Sequence, residues 1–148
     1  MAALYLMFYT KTPVLKQFFT VPVASGKSRM LAAFILGARN ISTKNFDKFV
    51  IMFPHKILKE QDQDIYNNLE IFTNETGAKV QQVVGMEEAQ KVCDTSTLLL
   101  LDEADVELID HAKKPPPAAA ILAMSATDAT EGTGYEAHYL KKIGFNVK

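Results

Sequence analysis

The chain has 148 residues, with 16 Lys and Arg against 17 Asp and Glu and a net charge of −1. That length suits one domain able to bury a real core, and the near-neutral balance gives no electrostatic case for a nucleic-acid partner. Cys93, the single cysteine, excludes an internal disulfide framework and a thiolate metal cluster, and fits a reducing, cytoplasmic compartment. The opening MAALYLMFY is apolar, but it is too short to span a bilayer and lacks the flanks of a signal peptide, so it reads as a buried first element. No other stretch reads as a membrane span, and no internal repeat period is visible.

In chain order, short β-like runs alternate with longer helical ones, which predicts an α/β domain with a mainly parallel sheet. VLKQFFTV (Val14 to Val21) reads as a strand, Pro22 to Gly26 as a loop, and KSRMLAAFILGA as a helix with Met30, Leu31, Phe34 and Ile35 on one face. FVIMF (Phe49 to Phe53) is apolar throughout, as a strand buried on both faces must be, and Pro54 closes it. Ile57, Leu58, Ile65, Leu69 and Phe72 mark an amphipathic helix ending near Gly77. AKVQQVV is then a strand, and MEEAQKV a short helical or looping piece.

The second half begins with TLLLLDEAD, in which four leucines run straight into carboxylates. A buried strand thereby delivers acidic groups to its C-terminal end. VELIDHA looks helical and is stopped by KKPPP, where Pro115 to Pro117 make a stiff extended connector. AAAILAM is a further strand and SATDATEGTG a polar turn region. YEAHYLKKI followed by Gly144 predicts a last helix, and FNV a final short strand. The total is five or six strands with helices between them.

Three places carry possible chemistry. Gly26-Lys27-Ser28 lies between a strand and a helix, where backbone N–H groups, a lysine and a hydroxyl can hold phosphate and magnesium. Such a triplet arises by chance on the order of once in ten chains of this length, so alone it decides little. Asp102-Glu103-Ala104-Asp105 follows a buried strand, in the crevice where open α/β sheets take ligands; the plainer alternative is an acidic helix start. Ser125-Ala126-Thr127 again follows an apolar strand, and alone is an ordinary strand-to-turn sequence.

In that order, GKS, DEAD and SAT resemble motifs I, II and III of the superfamily 2 helicases and translocases. DEADVELIDHAKKP is similar to the DEVDSILIDEARTP stretch of the SecA-type preprotein-translocase motors, matching at Asp102, Glu103, Asp105, Leu108, Ile109, Asp110, Ala112 and Pro115. AMSATDATEGTGYE is similar to their GMTGTADTEAYE. The resemblance spans nearly the whole chain and implies one RecA-like P-loop domain over residues 1–148, a three-layer sandwich, with motif I at 21–28, motif II at 102–105 and motif III at 125–127. It implies ATP and Mg²⁺ as cofactors. Ala24, Ser25, Gly26, Lys27 and Ser28 would cradle the phosphates. Ser28 and Asp102 would hold the metal, Glu103 would activate water, and Ser125 and Thr127 would couple nucleotide state to motion.

The implied partners are a second RecA-like domain, in cis or trans, and a track of nucleic acid or polypeptide. Peripheral membrane association follows if the SecA-type likeness extends that far. The arginine finger of this family belongs to the second domain, so these residues alone should bind nucleotide better than they hydrolyse it. The sequence departs from the pattern in three ways. Alanine stands at position 24, where the translocase-type loop has glycine. No glutamine lies near Leu6, where an adenine-reading Q motif would fall, and Gln17 is too close to the loop. Only KKPPPAAA intervenes where SecA-type motors insert their preprotein-binding domain. These departures motivate the alternative of a degenerate, non-catalytic relative serving as a structural or docking subunit. His55, His111 and His138 show no ligand spacing, Cys93 reads as a small core residue, and Lys141-Lys142 as a helix C-terminus.

Overall fold

The computed structural model describes residues 16–20, 48–54, 80–105, 107–108, 113–125 and 135–147. Their elements are β1 (Lys16–Thr20), β2 (Lys48–Phe53), β3 (Val80–Val84), α1 (Met86–Val92), β4 (Thr97–Leu101), β5 (Ala120–Ser125), α2 (Tyr135–Lys142) and β6 (Asn146–Val147). The first apolar segment and the helices expected over 27–38 and 57–72 lie outside these residues.

The strands form one six-stranded sheet in the order β3-β2-β4-β5-β1-β6. All five neighbouring pairs are parallel, so every strand ends on the same edge. The domain is thus α/β with a parallel sheet, as the alternation of patterns predicted. Composition explains the placement of each strand. All five residues of β4 are buried, as are all six of β5, and both strands have neighbours on either side. β3, on the edge, is mixed instead, with Val80 and Val83 buried and Gln81 exposed. Continuous apolar runs are what a strand needs when both faces are covered, whereas an edge strand tolerates polar residues.

Alternate residues of these strands build the described core. Phe18, Val50, Met52, Leu99, Leu101, Ile121 and Ala123 share one face with Met86 and Ala89 of α1 and Leu140 of α2. Fully burying each large aliphatic side chain contributes roughly 1.5–3 kcal/mol, so this face alone outweighs any single surface contact. Phe145 packs its ring edge-on to Phe18, with centroids 6.5 Å apart and planes at 89°, which ties the α2–β6 corner to β1.

That corner is a helix stop with satisfied carbonyls. Gly144 has φ +100°, its N–H donates to the Lys141 carbonyl at 3.1 Å, and the Phe145 N–H donates to the Leu140 carbonyl at 2.9 Å. This pair of bonds is the Schellman arrangement, and it needs a residue free to take positive φ. The glycine predicted to end the last helix does so. Beyond it, the Gln17 and Asn146 side chains, neighbours in register, form an amide pair. Asn146 Nδ2 donates to Gln17 Oε1 at 2.8 Å, while Gln17 Nε2 donates to the Asn146 carbonyl at 3.0 Å.

Several boundaries shift from the sequence expectation. Of the first strand expected over 14–21, residues 16–20 are described and are β, and MEEAQKV, expected as a short helical or looping piece, is a helix. β5 runs one residue further than expected, so Ser125 closes a strand instead of opening a turn. Pro115–Pro117 have neither helix nor strand, consistent with an extended connector. Cys93, expected as a small core residue, caps α1 at its C-terminal end and is partly buried, packed against the core. Burial still pushes its thiol up to about 11, against a smaller opposing pull from Lys48, so it is a poor nucleophile near neutral pH.

Candidate functional site

The parallel arrangement brings the ends of β1, β4 and β5 together on the C-terminal edge. Register fixes their levels. Thr20 of β1 stands opposite Ser125 of β5, and Ala123 stands opposite Leu101 of β4. Asp102 therefore leaves β4 beside the last residues of β5. Both Asp102 and Ser125 are buried, at 2% and 3% exposure, which is unusual for residue types that normally face solvent. The sheet brings these two expected site residues to adjacent strand ends.

The turn after β4 has a specific construction. The Asp102 N–H still donates to the Met52 carbonyl at 2.9 Å, extending the ladder one residue past the strand. Asp102 Oδ1 then accepts from the Glu103 N–H at 3.0 Å, and Glu103 takes φ +49°. A glutamate in the left-handed region costs roughly 1–2 kcal/mol relative to an ordinary conformation. It is the one residue other than glycine with positive φ among the described residues. Helical backbone begins at Ala104, whose side chain, with that of Leu108, enters the core. Strain of this kind persists where the surroundings hold it: here the ladder bond on one side and two buried apolar anchors on the other.

Further along, Glu107 is buried and pairs with Lys113, Oε2 to Nζ, at 3.1 Å. The Lys113 N–H also donates to the Glu107 carbonyl at 2.9 Å, so the chain between them is closed by two bonds. Asp105 Oδ1 is buried without a hydrogen-bond partner. Among the described residues no group of three or more His, Cys, Asp or Glu converges as a self-sufficient metal site. Asp102 and a serine hydroxyl are nevertheless hard oxygen donors, and magnesium needs only one or two protein oxygens when phosphates and water complete its shell. Asp102 is a donor of that type; Ser28, the other expected metal ligand, lies outside the described residues.

Ala24, Ser25, Gly26, Lys27, Ser28 and Thr127 lie outside the described residues, as do His55 and His111. His138 and the Lys141-Lys142 pair are exposed on α2, with the lysines in its last turn. Gln17 is fully buried and bound to Asn146, which makes it a sheet residue and not a reader of adenine. Two features escaped the sequence. One is Thr20, a strand-end threonine whose Oγ1 is buried without a partner. The other is a polar knot on the opposite edge of the sheet, where Asp94 accepts from the Ser96 N–H and hydroxyl at 2.8 and 2.6 Å and pairs with Lys48 at 3.2 Å. These bonds, those from Ser96 first, hold the Asp94 carboxyl well below the usual range. The Asp-x-Ser spacing was the available signal for that turn.

No described helix is long and apolar enough to cross a membrane. No protein-family model matches the sequence, and no curated protein matches it.

Proposed function

We propose that this chain is an ATP-binding domain of RecA-like architecture, of the kind used by superfamily 2 helicases and protein translocases. One observation carries it. β5 lies between β1 and β4, so the strand leading to Gly26-Lys27-Ser28, the strand ending in Ser125 and the strand ending in Asp102-Glu103 are consecutive neighbours with a common C-terminal edge. Among the described residues, the next strand after β1 lies toward the β3 side, whereas those after β4 and β5 lie toward the β6 side. Ligand crevices of open parallel sheets form where successive connections part in this way.

In this reading Lys27 neutralises the β- and γ-phosphates, and Ser28 and Asp102 hold magnesium. Bound magnesium supplies charge neutralisation on the phosphate oxygens. Glu103, presented by its left-handed backbone, orients the attacking water, and Ser125 and Thr127 couple nucleotide state to motion. Hydrolysis is weak until a second domain brings an arginine, whose contribution in this chemistry is about 10³–10⁵ in rate. The track is a polypeptide or a nucleic acid.

The experiment is titration of Mg-ATP against the wild type and Lys27→Ala. Binding that the substitution abolishes supports the proposal, with or without turnover; a wild type with no measurable affinity overturns it. Ala24 favours a second reading, a degenerate relative that keeps the fold as a docking subunit. If that position takes φ > 0, its methyl group costs about 1–2 kcal/mol and Ala24→Gly should tighten ATP binding about fivefold or more. A chain that binds no nucleotide even as Ala24→Gly belongs to the second reading.

A further inference from the structure

Thr20 is the polar residue that ends β1, at the C-terminal edge of the sheet. Its register partner is Ser125, so the two side chains sit on the same face of adjacent strands, whose backbones lie about 4.8 Å apart. Thr20 Oγ1 has no solvent contact and no hydrogen-bond partner. Two other buried polar side chains of the strands are handled differently. Gln17 is bonded to Asn146. Thr97, at the opposite edge, accepts from the Asp94 N–H at 3.0 Å and donates to Asp94 Oδ1 at 3.3 Å. A buried hydroxyl with no partner is a net loss to folding, and valine would fill the same shape without it. Something other than the stability of the sheet accounts for the hydroxyl. Its location suggests what: Thr20 is the last residue of β1, directly before the segment leading to Gly26-Lys27-Ser28, and level with Ser125.

We infer that Thr20 is a further binding residue of the proposed nucleotide site, its hydroxyl donating to a phosphate oxygen seated between the ends of β1 and β5, directly or through one ordered water. This inference rests on the nucleotide reading. The hydroxyl is a cost to the unliganded fold and a contact in the complex, so its removal must move two measurements in opposite directions. A threonine of merely structural value would move only one.

The test compares Thr20→Val and Thr20→Ser with the wild type by thermal unfolding and by Mg-ATP titration. Thr20→Val should raise the unliganded midpoint by roughly 2–4 °C, the shift that about 1 kcal/mol produces in a domain of this size. It should also weaken Mg-ATP binding about fivefold, while Thr20→Ser restores the affinity. A wild type that binds Mg-ATP with an affinity unchanged in Thr20→Val overturns the inference and leaves the nucleotide reading intact. A wild type that binds none overturns both, and the stability measurement separately reports whether the hydroxyl was a burden on the fold.

Discussion

The left-handed backbone at Glu103 gives a prediction in which two side-chain-deleting substitutions change rank. Glu103→Ala and Glu103→Gly both remove the carboxylate and every contact it makes, so they differ only in what the backbone tolerates. At an ordinary helix or strand position glycine is the less stable of the two by roughly 0.5–1 kcal/mol, because its unfolded chain has more freedom to lose. At φ +49° alanine keeps the left-handed penalty of roughly 1–2 kcal/mol and glycine escapes it. The terms oppose, and the larger is the strain. Glu103→Gly should therefore be more stable than Glu103→Ala by about 0.5–1 kcal/mol. Urea unfolding monitored by circular dichroism measures this directly, as a higher midpoint for the glycine variant with the same slope for both. A thermal midpoint about 2–4 °C higher would accompany each 1 kcal/mol. Equal midpoints, or alanine ahead, would refute a strained turn at the end of β4.

Three other outcomes follow from the packing and the polar pairs. Leu100→Ala, at a site fully buried in the middle strand β4, should cost about 2–5 kcal/mol, read as a lowered urea midpoint or as loss of soluble folded protein. Asn146→Ala should cost about 1–3 kcal/mol by leaving Gln17 Oε1 buried without its donor, while Gln17 Nε2 keeps the backbone carbonyl of residue 146; changing both residues to leucine should recover much of that, measured as a double-mutant cycle. Asp94 has a folded-state pKa below its unfolded value, so its contribution is complete above about pH 4 and is lost as pH falls further toward the folded value. Asp94→Asn should flatten the acid limb of the stability profile below about pH 4 and leave its slope near neutrality unchanged.

Much of the sheet was legible because its strands announce themselves. TLLLL, FVIMF and AAAILAM are unbroken apolar runs, and only a strand covered on both faces needs that composition. Gly144 was legible as a helix stop for a different reason: the left-handed residue of that stop is most simply glycine. The order of the strands was not legible. Nothing local to Lys16–Thr20 says that its neighbours are β5 and β6, some hundred or more residues on, since those pairings are settled by the packing of the whole core. Two features at the site were hidden for the same class of reason. A positive φ at glutamate has no residue-type signature, and Thr20 reads as a good strand former until its oxygen is found with nothing to bond. In the acidic segment the types were visible in advance, whereas the burial of Asp102 against the end of β5 needed the third dimension.

The place of β5 also sets a width. With one whole strand between them, the ends of β1 and β4 stand two inter-strand spacings apart, roughly 9–10 Å. A direct hydrogen bond between side chains reaches about 3 Å between heavy atoms, so short groups on the two ends do not meet unaided. A phosphoryl group with a magnesium ion at about 2 Å from its oxygens, and that ion's water, fills much of such a span. The middle strand acts as a fixed spacer, so under the proposed nucleotide reading a ligand must be large enough to reach both strand ends at once.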